Sequence, residues 1–248
     1  MKQTALLAGA YLHHLCFESP NPEKLSDFYG KIMQMKPQSI GGNAWLCSGK
    51  NRQILIKEGM KNRLEFAAFS CRDEGGLNLL KERVKEEGIE VINLQPDLFQ
   101  NDAISIVDQD GHKISFGLSK PNMNAESFLN GPLQHLTFST LNVEKFVDFY
   151  VGKLGFCISD RVLHSNGNLA TCFVRSNHEH HTVACFKSDR IGVDHHSYEA
   201  GEWNAIRDWC DHFASMNIEL MWGPGRHGPG NNLFVFVEDP DGNCIEIS

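Results

Sequence analysis

The sequence has no apolar run that approaches the roughly twenty residues a membrane-spanning helix needs. It also lacks an excess of basic residues, because 23 lysines and arginines stand against 31 aspartates and glutamates, for a net charge of −8. Nucleic-acid binding depends on clustered Lys and Arg, so this balance argues against a nucleic-acid partner. We therefore expect a protein that acts neither in a membrane nor on nucleic acid.

Paired cysteines are missing as well. The eight cysteines are scattered, with no CxxC pair and no spacing typical of a zinc site. Most stand beside apolar residues, as buried thiols do. The first fourteen residues, MKQTALLAGAYLHH, lack the organisation of a signal peptide. These features predict a cytoplasmic protein in a reducing compartment.

What the sequence does contain is an internal repeat. Residues 14–29 read HLCFESPNPEKLSDFY, and residues 135–150 read HLTFSTLNVEKFVDFY. Nine of these 16 aligned positions are identical, at a constant offset of 121. Each block predicts a strand, a turn centred on an asparagine, and an amphipathic helix that ends at Phe-Tyr.

The repeat extends over most of the chain. FAAF at 66–69 and the helical pattern after it correspond to HHSY at 195–198 and its following helical pattern. VDQDGHKISFG, which starts at 107, corresponds to EDPDGNCIEIS, which starts at 238. The join falls at 118–131, LSKPNMNAESFLNG, whose composition is typical of a linker. Each half therefore comprises about 120 residues of strand–helix–strands, repeated once.

This double repeat resembles the vicinal oxygen chelate superfamily of glyoxalases, bleomycin-resistance proteins and dioxygenases. The length and the stretch GPGRHGPGNNLFVFVEDPDGNCIEI at 223–247 are most similar to the type I extradiol, ring-cleaving dioxygenases. The resemblance implies an α+β fold of two tandem domains, each made of paired βαβββ modules. We expect an N-terminal domain without metal at 1–120 and a catalytic, metal-binding domain at 121–248.

Three strand positions that the repeat makes equivalent differ between the halves. In the second half they carry potential metal ligands, namely His135, His195 and Glu246. In the first half they carry His14, Phe66 and Ser115. A requirement of the fold alone would appear in both copies, so the difference indicates a function of the second half. Two imidazoles and one carboxylate suit Fe(II), with Mn(II) as a further possibility.

The resemblance places the family's metal ligands on these same strands. Taken alone, Glu246 would be a solvated strand residue, and His135 a hydrogen-bonded core histidine. His195 is hard to separate by sequence from its neighbour His196, but the run that ends at Glu199 fits the family register when counted from His195. We therefore assign His195 to the metal and His196 to the substrate.

Two further histidines match positions that are catalytic in the extradiol enzymes. His181, in SNHEHHTVACF, matches an acid–base histidine, with His180 as the alternative. An imidazole suits that role because its pKa lies near neutrality. His227, in a loop rich in glycine and proline, matches a histidine that donates a hydrogen bond toward the substrate hydroxyl and oxygen. Without the resemblance, both segments would be ordinary loops.

Two positions depart from the usual family pattern. Phe236 stands where most extradiol enzymes have a tyrosine that contacts the substrate hydroxyl. Trp222 stands where relatives that bind a carboxylate have an arginine. With His196, these two residues are our candidates for substrate binding, and they predict a substrate with an apolar or aryl substituent.

The resemblance predicts an enzyme that cleaves a catechol-type diol with O2 at an Fe(II) centre, in a homo-oligomer. One alternative is a non-oxidative metal enzyme of the glyoxalase or epimerase kind. Such enzymes take ligands from both modules, which Ser115 disfavours. The other alternative is a metal-free resistance protein that binds an aromatic ligand, which retention of the three ligands and His181 disfavours.

Overall fold

The computed structural model describes residues 3–120, 129 and 131–248. Most of the predicted linker at 118–131 therefore lies outside the described residues. Within the described part of the chain, no helix is both long enough and apolar enough to cross a membrane.

The described residues of the first half form three helices and one seven-stranded sheet. The elements are α1 (Thr4–Ala8), β1 (Tyr11–Ser19), α2 (Pro22–Lys31), β2 (Lys36–Gly41), β3 (Ala44–Gly49), β4 (Arg52–Glu58), β5 (Arg63–Ser70), α3 (Glu74–Glu86), β6 (Ile104–Val107) and β7 (Lys113–Gly117). The strand order is β2-β3-β4-β1-β5-β7-β6.

The described residues of the second half form an eight-stranded sheet. The elements are β8 (Leu133–Thr140), α4 (Val143–Val147), a π-helical segment (Asp148–Lys153), β9 (Cys157–Leu163), β10 (Leu169–Arg175), β11 (Val183–Lys187), β12 (Gly192–Tyr198), α5 (Trp203–Ser215), β13 (Trp222–Arg226), a 3-10 turn (Pro229–Asn231), β14 (Leu233–Glu238) and β15 (Cys244–Ile247). The strand order is β13-β14-β15-β12-β8-β11-β10-β9.

The asparagine shared by the repeated blocks starts the first helix of each half. The Asn21 side chain accepts a hydrogen bond from the Lys24 backbone N–H at 3.1 Å, and Pro22 is at the first position of α2. Asn142 accepts from the Lys145 N–H at 2.9 Å. Such caps satisfy backbone donors that a helix leaves open at its N-terminus. The predicted strand–asparagine–helix pattern is confirmed in both copies.

The repeat is also present in the strand registers. Parallel pairing places Leu15 opposite Ile54 in the first sheet and Leu136 opposite Val183 in the second. It likewise places Ala68 opposite Ser115, and Ser197 opposite Glu246. The α+β class and the modular sheets agree with the prediction. These registers also give a residue-by-residue equivalence between the two halves.

One of the four modules departs from the predicted βαβββ order. The described residues after α3 form only two further strands, β6 and β7, and Val91 makes a single bridge to Ile106 in place of the third. Val91 is 53% exposed, and Pro96 lies in the segment that follows. A short stretch without a buried face, followed by a residue that cannot donate to a ladder, does not extend into a strand.

The chain divides into two compact units, and each takes residues from both halves. One comprises Met1–His13, Phe66–Asn122 and His135–Asp194. Its core contains Phe69, packed against Phe116 and Phe156. The other comprises His14–Glu65, Met123–Gln134 and His195–Ser248. Its core contains Trp209, packed against Phe213. The domain boundary near residue 120 stays a prediction.

Candidate metal centre

The three predicted ligands lie on three neighbouring strands of the second sheet. His135 is on β8, His195 on β12 and Glu246 on β15, and these strands are adjacent in the order β15-β12-β8. Each residue offers one ligand atom, and these atoms lie within 4.8 Å of one another. All three residues are buried, with exposures of 2%, 7% and 1%. The interpretation of Glu246 as a solvated strand residue is therefore wrong.

The contacts of Glu246 explain how a carboxylate is accommodated at this depth. Its Oε2 lies 3.5 Å from His195 Nε2, and its Oε1 lies 2.9 Å from His227 Nε2. Burial of a carboxylate is costly unless it is paired or coordinates a metal. Because neutral imidazoles and a carboxylate are good ligands for a divalent transition metal, the residues present fit such an ion.

His196 points away from the three ligand candidates. Successive residues of a strand face opposite sides, so His196 lies on the face of β12 opposite His195. Its side chain is completely buried, next to the ring of Phe17 at 5.1 Å and the hydroxyl of Tyr29 at 3.3 Å. The structure thus does not bring His196 together with the candidate ligands. The contact of His196 with a substrate stays a prediction, and the complete burial of this side chain argues against it.

His181 lies beside the ligand candidate His135. Their ring centroids are 4.0 Å apart, at an interplanar angle of 42°. His180 Nδ1 lies 3.0 Å from His181 Nδ1, so the two rings share a single proton at this contact. Burial lowers the pKa of His180, which favours its neutral form. The sequence contains both histidines in HEHH at 178–181, but it does not indicate that their side chains contact each other.

An aromatic cluster extends from His195 along β14 and β13. The Phe236 ring meets His195 edge-on at 5.3 Å, and Trp222 stacks on Phe236 at 5.5 Å. His227 stacks on Phe234 at 3.9 Å. Sequence reasoning overlooked Phe234, although alternation in LFVFV puts it on the same face of β14 as Phe236. Trp222, Phe236 and His227 are thus brought together with the candidate ligands.

Comparison with known proteins agrees with this geometry. Residues 133–247 match the Glyoxalase/Bleomycin resistance protein/Dioxygenase superfamily. Residues 133–247 are thus a domain of this superfamily. That match covers the sheet that carries His135, His195 and Glu246.

The chain is also similar over most of its length to several dioxygenases. Metapyrocatechase 2 of Cupriavidus necator is 24% identical, over 96% of this chain and 80% of its own length. Manganese-dependent 2,3-dihydroxybiphenyl 1,2-dioxygenase of Geobacillus genomosp. 3 is 22% identical, over 94% of this chain and 83% of its own. The fold matches the 2,3-dioxygenase LapB from Pseudomonas sp. KL28 with a TM-score of 0.84 at 18% identity, over 97% and 93% of the two chains.

Proposed function

We propose that the protein is an extradiol ring-cleavage dioxygenase that acts on a catechol-type diol with Fe(II), or Mn(II), held by His135, His195 and Glu246. The observation that carries this proposal is the convergence of those three buried side chains within 4.8 Å. Two imidazoles and one carboxylate leave part of a metal's coordination sphere open for substrate and oxygen. When bound, the ion would supply Lewis acidity toward the two diol oxygens.

His181 is the group that we propose moves a proton. Its Nδ1 lies 3.0 Å from His180 Nδ1, and its Nε2 would accept the proton of a substrate hydroxyl. The His181 ring lies beside that of His135, so a diol held by the ligand set would lie within reach of it. An imidazole with a pKa near neutrality can take the proton and return it later in the reaction.

His227 has two proposed tasks that use the same atom. Its Nε2 lies 2.9 Å from Glu246, and its ring is held by stacking on Phe234. In this position, His227 orients the carboxylate of the ligand. Donation toward the substrate hydroxyl and oxygen would require that Nε2 turns from Glu246 to the substrate.

The aromatic cluster indicates which diols would bind. Phe236 and Trp222 form a continuous apolar wall from His195 to the surface, where Trp222 is 59% exposed. Such a wall gains free energy from apolar and aryl groups and offers no cationic partner to a carboxylate. Phe236 also brings no hydroxyl group near the diol. We therefore propose a catechol with an apolar or aryl substituent.

The test is reconstitution of protein purified without oxygen, with Fe(II) and separately with Mn(II). We expect one ion per chain, oxygen uptake, and the near-ultraviolet or visible absorbance of a ring-opened product. Catechols with a phenyl or alkyl group should give a kcat/KM at least about 10-fold above those with a carboxylate side chain, since one well-buried apolar group contributes 1–3 kcal/mol. Tight binding of catechols by metal-free protein, without turnover in either reconstituted form, would contradict the proposal and favour a resistance protein.

A further inference from the structure

The hydroxyl of Tyr29 lies at the centre of a buried polar cluster that the proposed chemistry does not use. Tyr29 is near the end of α2 and is completely buried. Its oxygen lies 3.3 Å from Asp239 Oδ2 and 3.3 Å from His196 Nε2. Because an ionised carboxylate can only accept, the phenol donates its one proton to Asp239 and accepts the N–H of His196 Nε2.

Each partner of Tyr29 is connected to a strand that carries a metal-ligand candidate. His196 follows His195 in β12. Asp239 starts the turn that leads into β15, and accepts the backbone N–H of Asp241 and of Asn243 at 2.9 Å each. The strands β12 and β15, which carry His195 and Glu246, pair directly. One phenol therefore braces both ligand-bearing strands from the face opposite His195.

The equivalent tyrosine and aspartate of the repeat also bond to each other, but without a histidine. Tyr150, which the repeat aligns with Tyr29, donates to Asp108 Oδ2 at 3.1 Å. Asp108 accepts the backbone N–H of Asp110 and His112, as Asp239 does in its own turn. The strand registers make Ala67 equivalent to His196. The Tyr–Asp bond therefore belongs to the fold, whereas the bond to a histidine accompanies the ligand set.

We infer that Tyr29 is a positioning residue for the metal centre, and that it fixes His195 through His196 and Glu246 through Asp239. This inference rests on the proposed metal binding. A ligand strand that is held from behind keeps its imidazole within a few tenths of an ångström of the productive place. Groups that bond a metal ligand directly typically contribute about 10- to 100-fold in metal affinity, and Tyr29, which is one residue further from the ligands, should contribute at the lower end of that range.

A matched pair of variants tests the inference. Tyr29→Phe and Tyr150→Phe each remove one phenol hydrogen bond to a buried aspartate at the same point of the repeat. Both should lower Tm, and Tyr29→Phe should lower it somewhat more because it also removes the bond from His196. Metal-free protein is titrated with Mn(II), and free Mn(II) is followed by its EPR signal. We expect the Kd for Mn(II) to rise about 10-fold in Tyr29→Phe. In Tyr150→Phe it should change less than twofold.

A second pair separates the histidine bond from the stability of the fold. His196→Ala copies Ala67 and leaves the bond between Tyr29 and Asp239 in place. It should weaken Mn(II) binding by less than Tyr29→Phe, which also loses the bond to Asp239. The double variant should bind Mn(II) no more weakly than Tyr29→Phe, because that single variant has already lost the bond between the two residues. His196→Gln, whose amide can donate to the phenol, should restore most of the affinity.

Three outcomes would overturn the inference. Equal weakening by Tyr29→Phe and Tyr150→Phe would leave Tyr29 with a structural role only. An unchanged Kd in Tyr29→Phe would remove the role entirely. If the wild-type protein itself fails to bind Mn(II) or Fe(II), the proposed function falls, and the inference falls with it.

Discussion

The two halves of this chain place different side chains on one scaffold. In the second half, three equivalent strand positions hold His135, His195 and Glu246, which converge. In the first half, Phe66 takes the place of His195, and Ser115 takes the place of Glu246. Both are completely buried or nearly so. The two halves thus share these strand registers, and the difference in side chains places the candidate centre in the second half.

The first half also shows how the position equivalent to Glu246 is stabilised by a residue that is not a ligand candidate. Ser115 Oγ lies 2.6 Å from Ser105 Oγ, which also donates to the Leu94 carbonyl at 2.8 Å. Cross-strand register makes Ser105 the counterpart of Phe236. Neutral hydroxyls therefore satisfy one another where the second half keeps an acid beside an aromatic ring. Two hydroxyls that are hydrogen-bonded in this way carry no charge and do not form a ligand set for a metal ion.

The position equivalent to His181 also carries a different kind of side chain in the first half. Strand register makes Arg52 its equivalent in the first half. The Arg52 guanidinium is buried and donates to the carbonyl oxygens of Gly131 at 3.0 Å and Leu129 at 3.3 Å. An arginine is always protonated, so it cannot exchange a proton near neutral pH. Arg52 therefore cannot take the role that we propose for His181, so the proposed proton transfer, like the proposed metal binding, is specific to the second half.

The largest effect is expected from removal of the carboxylate ligand. Glu246→Ala should weaken Fe(II) or Mn(II) binding by more than about 100-fold and abolish oxygen uptake, since even outer partners of a ligand contribute 10- to 100-fold. Ser115→Ala is the matched control, and should keep the metal and lose only about 1 kcal/mol of stability. Metal content after gel filtration measures both. Comparable metal loss in the two variants would break the contrast between the halves.

The next effect concerns the proton acceptor. His181→Ala should retain the metal and bind catechol, while kcat falls by about 10²- to 10⁴-fold, the usual contribution of a general acid–base group. Stopped-flow absorbance under oxygen measures it. His180→Ala should cost less, about 10-fold at most, because that ring contacts His181 and acts through it. A larger loss in His180→Ala than in His181→Ala would exchange the two roles.

An attempted repair of the first half should fail. Ser115→Glu buries a carboxylate beside Ser105 while Phe66 offers no ligand, so we expect a loss of several kcal/mol and no additional metal. Chemical denaturation and metal analysis check both expectations. A second bound ion in Ser115→Glu would show that the carboxylate alone separates the halves.

The smallest predicted effect is a pH dependence of stability that comes from the turn before β15. Burial raises the pKa of Asp239 from 3.8 to about 6. The folded state therefore binds more protons than the unfolded chain between about pH 4 and pH 6, and the contribution of Asp239 is fully present below that window. As pH rises through the window, the free energy of unfolding should fall by about 1–3 kcal/mol.

Comparison with a variant isolates the contribution of Asp239 to the pH dependence of stability. In Asp239→Asn the decrease should disappear, so the difference in unfolding free energy between wild type and variant should change from pH 4 to pH 6 and stay level above it. Urea denaturation at half-unit pH intervals gives the two curves. Parallel curves would show that the Asp239 carboxyl titrates normally in the folded protein.

Most of the fold could be predicted from the repeat, because patterning and caps act locally. The blocks that begin at His14 and His135 specify a strand, an asparagine cap and a helix, and the structure has all three in each copy. The choice of His195 over His196 also agrees with the geometry, since strand alternation separates the two rings. The convergence of His135, His195 and Glu246 needed the family resemblance, because spacing alone does not fix which strands become neighbours.

Other features depend on contacts distant in sequence and could not be predicted locally. The missing strand near Val91 reflects an exposed stretch whose apolar letters still fit a strand pattern. The π-helical turn Asp148–Lys153 follows a helix that the letters describe as regular. The bond from His227 to Glu246 joins two segments 19 residues apart. The cluster around Tyr29 joins α2 to a turn more than 200 residues later.

The interleaved composition of the two compact units bears on how the gene arose. Each unit draws its core from both repeats, and the paired bonds from Tyr29 to Asp239 and from Tyr150 to Asp108 cross from one repeat to the other in opposite directions. Before fusion, a chain of one repeat could have formed both bonds only with a second copy of itself. An ancestral homodimer of exchanged modules therefore explains the reciprocity. Deletion of either repeat would therefore remove part of both units.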